Sequence, residues 1–243
     1  MIKDTKIAVL IDGDNIPAKY IGEMMQEITK YGTPTIKRIY GDWTKPHLSK
    51  WKSVLLENAI SPIQQYSYTA GKNATDSAMI IDAMDILYSS KVDAFCLASS
   101  DSDFTKLATR LREAGMQVYG IGEKKTPDPF IVACDKFIYL EILSSSDEEK
   151  DTKGKPKKDN LYNITPKVIR LLKNSVADAA DEDGWAFLGD VGSLIIKKQP
   201  NFDARNFGFE KLTPLFKSLN QFELEQRDQS NTRFKLIYVR NKQ

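Results

Sequence analysis

Short apolar runs alternate with amphipathic segments along the first 143 residues. The run KIAVLID at residues 6–12 is apolar and β-branched, as is typical of a strand buried on both faces of a sheet. Residues 17–31 then place apolar side chains at helical spacing, and Gly32 ends that helix. The pattern predicts six strands, at 6–12, 35–42, 61–68, 93–100, 116–122 and 136–143, and helices at 17–31, 46–59, 75–90 and 101–115. Strands that alternate with helices predict an α/β fold with a mostly parallel sheet flanked by helices.

The pattern changes after residue 143. Residues 144–160 contain no large apolar residue and are dense in charge, Ser, Gly and Pro, so we expect a mobile linker. Residues 161–243 predict three helices, the first ending at Gly184, and then two strands joined by a turn. This is a small α+β, winged-helix-like layout. The residues expected to anchor its core are Trp185, Phe187 and Leu188. We therefore predict a domain at 1–143, a linker at 144–160 and a second domain at 161–243.

Composition excludes several classes of protein. A hydrophobic fraction of 41% is ordinary for a globular chain, and no apolar run approaches the roughly 20 residues that a membrane helix needs. The apolar run near the N-terminus is too short for a signal peptide, so we expect a cytoplasmic protein without a membrane partner. His47 and two cysteines cannot supply the usual four ligands of a zinc site. Cys96, in an apolar run, is expected to be a buried hydrophobe.

Charge is unevenly distributed, although the formal net charge is only +2. Residues 1–143 carry 17 Lys and Arg against 18 Asp and Glu, a net charge of −1. Residues 161–243 carry 13 against 10, a net charge of +3. This mild basicity permits contact with nucleic acid. The residues that could form a basic, RNA-binding face there are Lys197, Lys198, Arg205 and Lys211.

Five aspartates lie where predicted strands end or helices begin. Asp12 and Asp14 follow the first strand, Asp101 and Asp103 follow the fourth, and Asp76 opens a helix. The carboxyl ends of parallel strands share one edge of the sheet, where ligands bind. Crowded carboxylates raise one another's pKa unless a cation neutralises them. The sequence therefore predicts a divalent metal site, and phosphate chemistry at it. Asp14 is either a ligand or a loop cap.

Other polar residues near this edge are candidates for binding the substrate. Asn15 could bind a phosphate or hold Asp12 in place, and Thr75 and Ser100 could hydrogen-bond water at the metal. The lysines that could contact a nucleic-acid backbone are Lys72, Lys124 and Lys125. His47 is expected at the surface or at a helix start, and Asp82 and Asp85, further along the Asp76 helix, are expected to be solvated.

Three motifs in the first half carry a resemblance to a known family. The runs IDGDN, GKNATDSAMIIDAM and LASSDSDFTKLATRLREAGMQVYGIGE resemble the NYN domain of the LabA-like group, relatives of PIN-domain nucleases. The resemblance covers residues 5–143 and implies a Rossmann-like sheet, an acidic site for a divalent metal and, in active members, RNA cleavage. Asp12 matches the acid of the first strand in that family. Asp76 matches the acid that opens the helix after the third strand, and Asp101 and Asp103 match the acids of the fourth strand.

Residues 162–240 resemble the LOTUS domain, also called OST-HTH. The resemblance rests on GWAFLGDVGSLIIKKQPNFDARNFGFEKLTPLFKSL and on the FELEQRD and FKLIYV strands. It implies RNA binding or, in some animal members, protein binding. Its pairing with an NYN domain favours RNA as the common substrate.

Together these observations favour a metal-dependent ribonuclease with an RNA-binding C-terminal module. In this hypothesis Asp12, Asp76, Asp101 and Asp103 hold one or two Mg²⁺ or Mn²⁺ ions, and RNA, single-stranded or structured, is the partner. A homodimer and a protein partner for the C-terminal domain are also compatible with the sequence. The alternatives are a non-catalytic RNA-binding or regulatory protein and a phosphatase of the haloacid-dehalogenase type, with Asp12 as nucleophile.

Overall fold

The computed structural model describes residues 4–46, 48, 51–66, 74–143, 161–228 and 235–242. The chain divides into two compact units, residues 1–152 and 153–243. Residues 144–160 lie outside the described residues, so the linker and the domain limits drawn from it stay a prediction. No helix within the described ranges has the length and apolar character that a bilayer crossing requires.

The first unit is built on a six-stranded parallel sheet with strand order β3-β2-β1-β4-β5-β6. Its strands are β1 (Lys6–Asp12), β2 (Thr33–Gly41), β3 (Ser61–Gln64), β4 (Ala94–Ala98), β5 (Gln117–Gly122) and β6 (Lys136–Tyr139). The predicted mostly parallel sheet is confirmed. Helices cover its faces, so the central strands are closed off from water, and every residue from Ile7 to Ile11 is 0% exposed.

Among the described residues, five α-helices connect these strands: α1 (Ile21–Ile28), α2 (Trp51–Asn58), α3 (Ala74–Tyr88), α4 (Thr105–Glu113) and α5 (Asp128–Ala133). The periodic pattern did not predict α5, because its six residues are too few to show helical spacing. Both α1 and α4 follow a single 3-10 turn, at Ala18–Tyr20 and Ser102–Phe104. Cys96 and Cys134 are free and buried, as expected for Cys96, and burial raises the pKa of both thiols.

The second unit packs helices against a three-stranded antiparallel sheet. Its elements are α6 (Pro166–Ala179), β7 (Ala186–Phe187), α7 (Leu188–Lys198), a 3-10 turn (Ala204–Phe207), α8 (Leu212–Lys217), β8 (Phe222–Asp228) and β9 (Lys235–Asn241). The sheet order is β7-β9-β8. The core includes Leu172, Val176, Val191, Ile195, Leu215, Phe216 and Val239. The predicted small α+β domain is therefore present, with β7 as an additional strand.

Two local expectations for this unit were wrong. The first helix ends at Ala179, not at Gly184, because Asp181 accepts backbone N–H bonds from Asp183 at 3.1 Å and Trp185 at 3.0 Å. Such an aspartate turn competes with the helix for the backbone. Leu188 is buried as expected, but Trp185 and Phe187 are half-buried and do not belong to the core.

Candidate metal centre and active site

The candidate site lies at the carboxyl edge of the parallel sheet, between β1 and β4. From β1 the chain continues to β2 on one side, and from β4 it continues to β5 on the other. This reversal of strand order opens a crevice in which α/β proteins bind ligands. Ile11 pairs with Ala98 near the ends of these strands, so Asp12 and Ser99 come next on neighbouring strands.

Asp12 is a buried carboxylate that is only 1% exposed. Its Oδ2 accepts hydrogen bonds from Asn15 Nδ2 at 2.6 Å and Ser99 Oγ at 2.8 Å. Its Oδ1 accepts the backbone N–H of Asp14 at 3.1 Å. Burial raises the pKa of Asp12, while the hydrogen bonds from Asn15 and Ser99 oppose that rise. A carboxylate enclosed in this way is poorly placed to attack a phosphate, which argues against the phosphatase alternative.

Gly13 allows β1 and β2 to approach closely where Asp12 leaves the sheet. Its N–H donates to the carbonyl oxygen of Tyr40 at 2.9 Å. A Cβ at this position would also lie 2.9 Å from that oxygen, closer than real Cβ atoms come. Any side chain here would push the backbone away from β2 and displace Asp12.

Ser99 links the end of β1 to the turn that follows β4. Its Oγ donates to Asp12 and accepts the backbone N–H of Asp101 at 3.1 Å. Ser99 is 0% exposed, and its own N–H donates to the carbonyl oxygen of Ile121 at 2.9 Å. Sequence reasoning missed this residue, because nothing in the SSDSD run shows which hydroxyl faces Asp12.

Three carboxylates converge near this buried group. One oxygen each of Asp76, Asp101 and Asp103 lies within 4.8 Å of the other two. Asp76 lies in the first turn of α3. Asp101 caps the 3-10 turn that precedes α4, where its Oδ1 accepts the backbone N–H of Asp103 at 3.0 Å. The structure thus brings three of the four predicted acids within ligand distance of one another, and Asp12 lies outside that group.

The electrostatics of Asp76 reflect all of these acids. Burial and, after it, the charges of Asp12, Asp101, Asp103 and Asp14 raise the pKa of Asp76 to about 6. A cation among the carboxylates would reverse the repulsive part of this shift. Carboxylate oxygens are also the donors that Mg²⁺ and Mn²⁺ prefer. The donor set therefore fits a divalent metal, both in chemistry and in the repulsion that a metal would relieve.

The small polar residues near the site already have partners within the protein. Asn15 holds Asp12, which is one of the two roles that the sequence left open. Thr75, 7% exposed, donates through Oγ1 to Asp14 Oδ2 at 3.3 Å. Ser100, also 7% exposed, accepts the backbone N–H of Glu123 at 2.9 Å.

Two of the predicted substrate-binding lysines follow β5 at the same sheet edge. Lys124 and Lys125 have exposed side chains. Lys125 forms an ion pair with Glu123, and the backbone N–H of Lys124 donates to Glu141 Oε1 at 2.8 Å. Lys72 and His47 lie outside the described residues.

The four basic residues singled out in the second unit differ in their environments. Lys198 pairs with Asp178 at 2.5 Å, and Arg205 pairs with Asp203 through Nη2 at 2.8 Å. Lys197, at the end of α7, and Lys211, just before α8, are exposed. The structure therefore leaves Lys197 and Lys211 as the more accessible cations of this set.

Hydrogen bonds that the sequence did not predict link α3 to β2. Asp82 accepts hydrogen bonds from the Arg38 guanidinium and from the Tyr40 hydroxyl. Tyr40 is 0% exposed, and its pKa is raised, first by burial and then by the bond to Asp82. The expectation that Asp82 is solvated was therefore wrong. Its helix also carries Asp76, so this network helps to position the end of α3 that contributes to the acidic cluster.

Comparisons with solved structures find partial likenesses. A crystal structure of a protein of unknown function from Vibrio parahaemolyticus is 20% identical, covers 56% of this chain and 93% of its own, and has a TM-score of 0.48. A solution NMR structure of an uncharacterized protein from Nitrosomonas europaea is 28% identical, covers 41% of this chain and 90% of its own, and has a TM-score of 0.32. No curated protein matches the chain.

Family models match both units. The model of the NYN domain matches residues 6–141, and the model of the OST-HTH/LOTUS domain matches residues 159–234. Both predicted resemblances, and their order, are confirmed. Since the first match spans more than half of the 243 residues, the protein belongs to the NYN domain family, and it carries an OST-HTH/LOTUS domain after the NYN domain.

Proposed function

We propose that the protein is a metal-dependent ribonuclease that hydrolyses RNA phosphodiester bonds at the carboxyl edge of its parallel sheet. The two families support a nuclease and RNA-binding role. The observation that carries the proposal is the convergence of Asp76, Asp101 and Asp103, whose carboxylate oxygens lie within 4.8 Å of one another. They lie where the strand order of the NYN sheet reverses, between β1 and β4.

In this proposal Asp76, Asp101 and Asp103 would hold Mg²⁺ or Mn²⁺, with Asp12 as the fourth acid of the site. Such a cation, when bound, lowers the pKa of water and offsets the charge that develops on the phosphate. Asp12 adds negative potential to the site, since its charge contributes to the raised pKa of Asp76. Ser99 and Asn15 fix the Asp12 carboxylate, and Ser99 also accepts the backbone N–H of Asp101, so these contacts hold Asp12 and the Asp101 backbone in place.

The chain's remaining residues would bind and orient the RNA. Lys124 and Lys125 are exposed at the same edge and would contact phosphates next to the scissile bond. The OST-HTH/LOTUS domain would hold a second part of the RNA and raise its effective concentration at the acidic site.

Cleavage of end-labelled single-stranded RNA with Mn²⁺ or Mg²⁺, beside an EDTA control, tests this proposal. Asp76→Asn should lower the cleavage rate on the order of 100-fold or more, because it removes a ligand of the cation. Asp85→Asn is the matched control, since Asp85 is an exposed acid on the same helix and should leave the rate unchanged. If several structured and unstructured RNAs are bound but stay uncut, the non-catalytic RNA-binding alternative replaces the proposal.

A further inference from the structure

The three-stranded sheet of the second unit has aromatic side chains on its solvent face. In an antiparallel sheet that packs one face on a core, the other face is normally polar. Ala186 pairs with Val239 on the core face, and both are buried. Alternation places the next pair, Phe187 and Tyr238, on the opposite face, and Trp185, two residues before Phe187, is on that face too. All three rings are partly exposed.

Two arginines alternate with these rings. The guanidinium carbon of Arg240 lies 4.7 Å from the Trp185 ring centroid. That of Arg227 lies 5.3 Å from the Trp185 centroid and 4.4 Å from the Tyr238 centroid. The Phe187 and Tyr238 centroids are 5.9 Å apart. We call these five residues the aromatic–arginine face.

Glutamates of β8 hold both guanidinium groups in place without using all of their donors. Arg240 donates to Glu223 Oε2 through Nε at 3.1 Å and Nη2 at 2.5 Å. Arg227 donates to Glu225 through Nη2 alone, at 3.2 Å. Each guanidinium has five N–H donors, so each retains donors for a second anionic partner. The side chains of Arg227 and Arg240 remain 37% and 43% exposed.

The face continues into an apolar groove with cations along it. Phe187 lines this groove together with Leu212 and Leu236, and Lys211 and Lys235 lie beside them. A continuous surface of rings, guanidinium planes and ammonium groups therefore runs across one side of the unit. Residues 161–243 of this unit carry a net charge of +3, which favours a polyanion over an acidic or neutral surface.

We propose that the aromatic–arginine face binds single-stranded RNA. Unpaired bases would stack on the rings and guanidinium planes, and the arginines and the groove lysines would contact the phosphates. Bases within a duplex are already stacked on one another and cannot use such a surface, so unpaired RNA is the preferred form. The inference rests on the proposed function only for the choice of RNA as substrate, and it adds a stacking surface to the basic residues Lys197, Lys198, Arg205 and Lys211 that the sequence singled out.

Binding of a fluorescein-labelled 12-nucleotide oligouridine to the full chain, in EDTA, tests the face without cleavage. Trp185→Ala and Tyr238→Ala should each weaken binding roughly 5- to 150-fold, the range expected from losing one stacked base. Trp185→Phe keeps a ring and should stay within about threefold of wild type. Tyr88→Ala is the matched control, because Tyr88 is a 71% exposed tyrosine of the first unit and should leave the affinity unchanged.

A second readout separates stacking from loss of charge. Arg227→Gln should lower the slope of log K against log salt by about 0.7, whereas Trp185→Ala should leave the slope unchanged. Thermal unfolding checks that each variant is folded, and if Trp185→Ala is not, Tyr238→Ala and Arg227→Gln decide the question. If the folded variants bind oligouridine as tightly as wild type, the proposal is wrong. The alternative would then be that this face binds a protein partner. If these variants lose binding and wild type does not cleave RNA, the proposed nuclease function is wrong, but the proposal that this face binds RNA stands.

Discussion

In the folded, metal-free protein, the charged form of Asp76 is destabilised. Burial and neighbouring carboxylates raise its pKa from 3.8 to about 6. The folded state therefore holds more protons than the unfolded state between these values, and stability is lost as pH rises through this window. At pH 7.5 without metal, Asp76→Asn should raise the unfolding free energy by about 1 kcal/mol, a figure already reduced for solvent screening. The Tm should therefore rise by about 2–4 °C. At pH 4 the gain should largely disappear.

Calorimetry in EDTA from pH 4 to 7.5 measures this difference. Asp85→Asn serves as the comparison, because Asp85 is exposed on the same helix and is not one of the acids that shift the pKa of Asp76. Added Mn²⁺ should then raise the Tm of wild type more than that of Asp76→Asn, since the variant lacks one ligand. A variant that melts below wild type at pH 7.5 without metal would show that Asp76 is not repelled by its neighbours.

Individual residues could be predicted from the sequence where a local pattern marks them. Asp12, Asp76, Asp101 and Asp103 all stand at strand ends or helix starts, and the structure places three of them together. Ser99 and Asp82 could not be found in this way. Their partners lie 87 and up to 44 residues away along the chain, so only the fold reveals the contact.

At the scale of elements, the buried Tyr40 hydroxyl ties β2 to α3. Tyr40→Phe fits the same cavity but removes a hydrogen bond to the Asp82 carboxylate. Because bonds to charged groups contribute about 1.5–3 kcal/mol, the unfolding free energy in urea should fall by that amount. Tyr119→Phe is the control, since its hydroxyl donates to Gln117 at the surface and its loss should cost less than about 0.5 kcal/mol. Equal losses in the two variants would mean that the network does not fasten α3.

Elements were predictable in proportion to their length. The parallel strands β1 and β4 are continuous apolar runs, and both are buried as that pattern indicates. The six-residue α5 and the two-residue β7 are too short for any period to show. The end of α6 was misplaced because the side chain of Asp181 bonds to the backbone and stops the helix before the glycine.

At the scale of the whole chain, two different hydrophobic patterns separated by a charged stretch indicated two modules, and the family matches confirm their identity and order. The charge difference between them could also be read directly from the sequence. The sequence could not show which cations stay accessible, because the pairing of Lys198 with Asp178 joins residues on two different helices.

This charge asymmetry predicts where the salt dependence of RNA binding comes from. The NYN region has a net charge of −1 and residues 161–243 have +3, so phosphate contacts should lie mainly in the second unit. Lys197→Gln combined with Lys211→Gln should lower the slope of log K against log salt by about 1.4, since each phosphate contact on single-stranded RNA contributes about 0.7. Lys52→Gln combined with Lys91→Gln removes the same charge from exposed positions of the first unit and should leave the slope unchanged. Anisotropy titrations of the full chain from 50 to 300 mM KCl, in EDTA, measure both pairs. If both double variants lower the slope equally, net charge alone, and not contact at Lys197 and Lys211, sets the salt dependence of binding.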